Sequence, residues 1–251
     1  NFVRVHDQSF IAGKKRLYMT ATPRIYGEGV RDTAREVGAE ICSMNDTALY
    51  GETLFTRNFS WAVQNNLLTD YKVIVLAVDE AAISASVQSR LSDTNSELVL
   101  DDATKIIGCY RALTKADVLD EVSGDLSPMH RALAFTKDIK SSKLFTSEFA
   151  RVVNEWRAFI DNETDDQTLP PLRCEVDHVD GTFNATSRSQ RLSWLKEKTG
   201  DDELCRILSN ARCLSEGVDV PALDALMFLH PRKSRIDVVE SVGRVMRRAE
   251  G

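Results

Sequence analysis

From residue 71 onward, short apolar runs alternate with longer segments of helical spacing, and this alternation constrains the fold more than any other feature. The runs are "YKVIVLAVD" (71–79), "RALAFT" (131–136), "RCEVDHVDG" (173–181), "CRILSN" (205–210) and "ALDALMFLH" (222–230). Continuous apolar, β-branched runs such as the first suit strands buried on both faces. Between them, 80–119 reads as largely helical with a break at 92–96. After Asp138, the residues Leu144, Phe145, Phe149, Val152, Val153 and Trp156 fall on one helical face, and Ser187–Lys198 turns Leu192 and Leu195 inward. Strand–helix repeats of this kind predict βαβ units, a mostly parallel sheet and helices on both faces: a three-layer α/β/α fold. Ligands in such folds sit beyond the carboxyl ends of the strands. The polar stretches that follow strands are therefore the places to look: "TATPR", "TKD", "VDGT", "SNARCLSEGVD" and "HPRKS".

The first 70 residues are less regular. "RLYMT" (16–20) reads as a strand running into a loop at Pro23, and 59–68 looks helical. No apolar run approaches the roughly 18 residues of a membrane span, and no signal segment opens the chain. The five cysteines are scattered without a C-x-x-C pair, so they read as reduced thiols of a cytoplasmic protein. Net charge is −6, which excludes a polycation built to coat nucleic acid; any polyanion site must be a local patch. One such patch closes the chain, with Arg232, Lys233, Arg235, Arg244, Arg247 and Arg248. A start at Asn1 and this abrupt cationic end suggest a piece of a longer protein.

Within that patch, "ESVGRVMRR" places Arg247 three residues after Arg244, on one helical face. Two guanidiniums so placed repel unless they share an anion. Their rigid forks suit the charge that develops on a transferring phosphoryl group. Taken alone, the segment is better described as a solvated basic helix end in which Arg247 and Arg248 complement the helix dipole. "SEGVDVP" puts Gly217 and Asp219 in a turn, where a carboxylate can hold a ribose hydroxyl or meet an arginine. Ser209 and Asn210 end a strand and offer short donors for a nucleic-acid phosphate. Thr136, Lys137, Gly181 and Thr182 also follow strands, where hydroxyls and backbone N–H groups position a sugar–phosphate backbone without reading sequence. Arg188 and Arg191 either join them or face solvent. His178 lies between Asp177 and Asp180, but strand alternation sends Asp177 and His178 to opposite faces, so no metal site is expected.

Taken together and in order, these stretches resemble the second motor lobe of a superfamily 2 helicase or translocase. Thr20-Ala21-Thr22-Pro23 matches motif III of that superfamily, "AFTKDI" motif IV, "ILSNARCLSEGVDVP" motif V and "ESVGRVMRR" motif VI; "VDGT" with Arg188 and Arg191 matches the segment between IV and V. The wording "RLYMTATPRIYGE", "SNARCLSEGVDVPALDA" and "VGRVMRR" is most similar to the predicted helicases of restriction-modification systems, above all the single-chain type ISP enzymes, and also the type I and type III subunits. The resemblance implies a RecA-like fold. It implies that Arg244 and Arg247 are arginine fingers, that Gly217, Asp219, Glu240 and Gly243 border a nucleotide, and that Thr136, Lys137, Gly181, Thr182, Arg188, Ser209 and Asn210 face DNA. Thr20 and Thr22 would link the ATP site to the other lobe. The family usually has glutamine where Glu240 stands, and an ionised carboxylate can only accept.

An ATPase of this type also needs G-x-x-x-x-G-K-[ST] and an acidic pair for Mg²⁺. Neither occurs: Gly13-Lys14 is followed by Lys15, and "VDEAA" at Val78–Ala82 follows motif III rather than preceding it. The expectation is therefore a remnant of a first RecA-like lobe over 1–27, a linker over 28–70 and a second lobe over 71–251. ATP with Mg²⁺ is expected in the parent protein, with no cofactor and no turnover in this chain alone. The expected partners are DNA, the missing first lobe, and restriction or methylation domains of the parent; no membrane is expected. The competing expectation is a non-catalytic nucleic-acid-binding or docking lobe.

Overall fold

The computed structural model describes residues 2–75, 78, 80–92, 97–115, 127–163, 172–211, 214, 223–231, 238–239, 241–243 and 246. The chain divides into two compact units, Asn1–Ala62 and Val63–Gly251.

The first unit has a 3-10 turn at Phe2–His6, helix α1 (Glu28–Glu36), helix α2 (Thr47–Tyr50) and the start of α3 (Phe59–Gln64). Its described residues bury little; Ala34 and Ser43 are the ones that fall inside. Three rings, His6, Tyr18 and Tyr50, meet with centroids 4.7–5.3 Å apart, and the Tyr18 hydroxyl lies 2.9 Å from His6 Nδ1. The strand expected at 16–20 does not form. Leu17 is 69% exposed and Met19 85% exposed. A strand needs a ladder neighbour for its backbone groups, and among the described residues of this unit there is none.

The second unit is built on four parallel strands: β1 (Arg131–Phe135), β2 (Arg173–Val179), β3 (Leu204–Asn210) and β4 (Ala225–Phe228), in the spatial order β2-β3-β1-β4. Helix α7 (Ile139–Glu163) crosses from β1 to β2, and α8 (Ala185–Lys196) from β2 to β3. Helices α4 (Glu80–Ser86), α5 (Gln88–Leu91) and α6 (Leu100–Thr114) precede the sheet in the chain. Alternation along the strands sorts two cores onto opposite faces. Ala132, Ala134, Cys205 and Ile207 pack with Ile83 of α4, Ile106 and Tyr110 of α6, and Phe149 of α7. Leu133, Phe135, Val179 and Leu208 pack on the other face with Leu195 of α8, Leu214 and Leu223. This is the three-layer α/β/α sandwich expected from the strand–helix alternation.

Two local features explain the helices. Asn184 caps α8, its side chain accepting from Ser187 N at 2.8 Å. On α7, Phe145, Phe149, Val152, Val153 and Trp156 are all buried, so its apolar stripe is what docks it to the sheet. The strand expected over 71–79 is not seen in its described residues: 71–75 join no ladder, and Val73 and Val75 are 78% and 90% exposed. β-branched composition specifies an extended backbone but not the partner that would cover it. Among the described residues, no helix is long and apolar enough to cross a membrane.

Candidate nucleotide and nucleic-acid site

The loops after β1, β2 and β3 leave the same edge of the sheet, because parallel strands all end on one side. After β1, Thr136 is buried; its amide donates to Asn210 O at 2.9 Å and its hydroxyl lies within reach of Asp138 O and Asn210 O, at 3.0 and 3.2 Å. Lys137 follows it on the surface. Asp138 caps α7 by accepting from Ser141 N at 2.7 Å, and those Ser141 hydrogen bonds lower its pKa.

After β2, Gly181 and Thr182 are exposed, and a Cβ added at Gly181 would meet open space. Thr182 is held from below by Asp180, whose Oδ1 accepts from Thr182 N at 2.7 Å and from its hydroxyl at 2.5 Å. Asp180 Oδ2 lies 2.9 Å from His178 Nε2. Burial alone would raise this carboxyl, but the hydrogen bonds from Thr182 and His178 outweigh it and hold the acid at about 2. Arg191 donates to His178 O at 2.8 Å, meets Asp177 at 3.3 Å and lies over the Phe183 ring at 4.3 Å, so it braces β2 rather than facing solvent. Arg188 is half-buried and weakly engaged. Among the described residues its one side-chain hydrogen bond, to Phe183 O, is 3.5 Å long, and its buried Nε has no partner.

Ser209 and Asn210, at the end of β3, are 0% exposed. The Ser209 hydroxyl is spent inside, 2.7 Å from Ser142 Oγ and 2.8 Å from Thr146 Oγ1 on α7. Asn210 Nδ2 donates to Ala134 O at 3.3 Å. The Ser209 hydroxyl is thus tied to α7 and the Asn210 amide to β1, while the buried Asn210 Oδ1 has no partner among the described residues.

The last motif is described in part. Residues 238–239 and 241–243 are helical, Ser241 is buried and Gly243 half-buried. Met246 is 2% exposed and its carbonyl accepts from Thr69 N at 2.7 Å, which ties this end to the start of the unit. Gly217, Asp219, Glu240, Arg244 and Arg247 lie outside the described residues. Thr20 and Thr22 lie in the first unit, where the Thr20 hydroxyl accepts from Thr22 N at 3.1 Å in a local turn. Among the described residues no metal-ligating cluster converges.

The group that residue-by-residue reading missed is Ser142, Thr146, His178 and Asp180. His178 and Asp180 are two apart on an extended chain and so share a side, while Ser142 and Thr146 are one helical turn apart. Those spacings were the available signal. His178 also pairs in register with Ser209, which only the sheet reveals.

Together these elements form a RecA-like three-layer lobe, with the loops after β1, β2 and β3 at the carboxyl edge of a parallel sheet. The family profile described as "Helicase conserved C-terminal domain" matches residues 114–249, more than half of the chain, and the chain belongs to that family. It is the C-terminal lobe of a superfamily 2 helicase. Among solved structures it is similar to "ATP-dependent Type ISP restriction-modification enzyme LlaBIII bound to DNA", with 39% identity, a TM-score of 0.79, and coverage of 99% of this chain and 16% of that one. Among curated proteins it is 25% identical over 234 residues to "Probable helicase A859L" of African swine fever virus (strain Badajoz 1971 Vero-adapted), covering 91% of this chain and 20% of the relative. The homologue from isolate Pig/Kenya/KEN-50/1950 is 26% identical over the same length. The chain thus spans about a fifth of the curated relatives it matches.

Proposed function

We propose that this chain is the second motor lobe of an ATP-dependent DNA translocase or helicase of the restriction-modification type. The observation that carries the proposal is the likeness, over nearly the whole chain, to a restriction-modification enzyme described as ATP-dependent and bound to DNA. The loop geometry supports it: Lys137, Gly181 and Thr182 lie exposed on one edge of the sheet, and Arg188 has unspent donors nearby on α8. Such groups suit a sugar–phosphate backbone and give grip without sequence readout.

The arginine pair fits a polyphosphate by chemistry, since Arg244 and Arg247 are three apart and follow the half-buried Gly243. In the intact protein, ATP with Mg²⁺ supplies the phosphoryl group whose transfer drives the motor. Arg244 and Arg247 stabilise the charge that develops there. Asp219 and Gly217 border the nucleotide, and Glu240, one turn before Arg244, accepts from that guanidinium when the site is open. Thr20 and Thr22 link the two lobes. The remaining phosphate contacts come from a first lobe of the same protein, and restriction or methylation domains accompany it. The test is ATP hydrolysis by the full-length protein with and without duplex DNA. Stimulation by DNA is expected, and turnover indifferent to DNA contradicts the reading.

A further inference from the structure

The loops of the candidate site are wired to one another through the interior, and the wire has a direction. Ionised Asp180 can only accept. Its Oδ1 already takes two hydrogen bonds from Thr182, and its Oδ2 faces His178 Nε2 at 2.9 Å. Nε2 therefore carries the hydrogen, and in the neutral ring Nδ1 is left as an acceptor. Ser142 Oγ, 2.7 Å from Nδ1, must donate to it. A hydroxyl has one hydrogen, so the 2.7 Å contact between Ser142 and Ser209 is Ser209 donating. Ser142 O, 3.2 Å from Ser209 Oγ, is the more distant acceptor for that hydrogen, and the Thr146 hydroxyl divides its one hydrogen between Ser142 O at 2.9 Å and Ser209 Oγ at 2.8 Å. From Ser209 onward the links point one way: Ser209 to Ser142 to His178 to Asp180. Donors aligned head to tail polarise one another. Ser142 and Ser209 are 0% exposed, Asp180 2% and His178 7%, so the links among these four lie in the interior.

We infer that His178 and Ser142 are positioning residues that couple the loop after β2 to the end of β3. One end of the wire fixes Thr182. The other fixes Ser209, next to Asn210, whose carbonyl also receives Thr136 from the loop after β1. What those loops grip rests on the proposed function: DNA at Thr182, and nucleotide at Gly217 and Asp219 a few residues beyond Asn210. The wire makes the first a sensor for the second. Neither His178 nor Ser142 touches a ligand.

Ser142→Ala tests this, because Ser142 contacts neither Thr182 nor Asn210 in the hydrogen-bond network yet sits between them. The first readout is amide hydrogen exchange of the full-length protein, which needs no ligand. Breaking a buried link is expected to speed exchange on the order of tenfold in both the 180–182 and the 209–214 peptides. His178→Gln keeps a donor for Asp180 and is expected to spare 180–182 while loosening 209–214. His178→Asn keeps an acceptor for Ser142 and is expected to do the reverse. Exchange confined to the mutated element in all three variants overturns the inference. The second readout is ATP hydrolysis: the ratio of DNA-stimulated to basal turnover is expected to fall several-fold in Ser142→Ala, with basal turnover close to wild type. A purely structural role lowers both rates in the same proportion and leaves their ratio unchanged, and that result also overturns it. Wild-type protein with no DNA-stimulated hydrolysis contradicts the proposed function, while the exchange readout still decides the coupling.

Discussion

Asp180→Asn removes one negative charge from the best-connected buried carboxylate described in the structure. The wild-type group accepts three hydrogen bonds, two from Thr182 and one from His178, and is 2% exposed. Those bonds hold its pKa at about 2 against an ordinary 3.8. At 1.36 kcal/mol per unit, the gap is worth about 2 kcal/mol of folding stability at neutral pH. An acid with a lowered folded pKa contributes fully above its unfolded value, and the contribution fades as pH falls toward the folded one. About 2 kcal/mol at pH 7 therefore becomes about half of that at pH 3. Asparagine cannot ionise, so the variant lacks this dependence. It also points an amide N–H₂ at the Nε2–H of His178, which forces the ring into its other tautomer. The variant is expected to melt roughly 4–8 °C below wild type at pH 7. Urea denaturation followed by circular dichroism at pH 7, 5, 4 and 3 measures the gap. A gap that stays constant down to pH 3, or is absent at pH 7, refutes the account of this carboxylate.

Other expectations follow from packing and charge. Phe149→Ala empties a fully buried site where the ring meets Phe145 at 5.1 Å, and should cost about 3–5 kcal/mol by chemical denaturation. Gly108→Ala should stabilise by about 0.5–1 kcal/mol, because Gly108 lies inside α6 and a Cβ there meets Val78 Cγ2 at an ordinary 3.5 Å; a lower melting temperature contradicts that reading. Lys137→Ala and Arg188→Ala in the full-length protein should each reduce the slope of log affinity for DNA against log salt by about 1, read by fluorescence anisotropy. An unchanged slope removes that residue from the DNA contacts.

Much of the sheet was legible because burial on both faces leaves a plain signature. β1 and β3 are apolar runs, and both fell where their composition put them. The helices α7 and α8 were legible from apolar spacing, although the Asn184 cap starts α8 two residues before the expected Ser187. The extended segments at 16–20 and 71–75 were misread for one shared reason: apolar residues announce a need for cover, not what supplies it. At the site, strand ends located the loops after β1, β2 and β3. Which hydroxyls turn inward was not legible. Ser209 looked like a donor at a strand end, but register sets it beside His178 and under Ser142, and the interior takes it. Pairing between β2 and β3 is a tertiary fact that no local spacing encodes. The opposite-face argument for Asp177 and His178 was sound as far as it went, yet the partner that matters was Asp180, two residues on.

The central claim is that this lobe completes a phosphoryl-transfer site with Arg244 while gripping DNA through other residues. The most direct measurement is DNA-stimulated ATP hydrolysis by the full-length protein carrying Arg244→Ala, with DNA affinity determined in parallel. Loss of an arginine finger is expected to lower turnover by about 10³-fold or more and to leave DNA affinity within a few-fold of wild type. Turnover that survives the substitution, or that falls only in step with DNA binding, contradicts the claim.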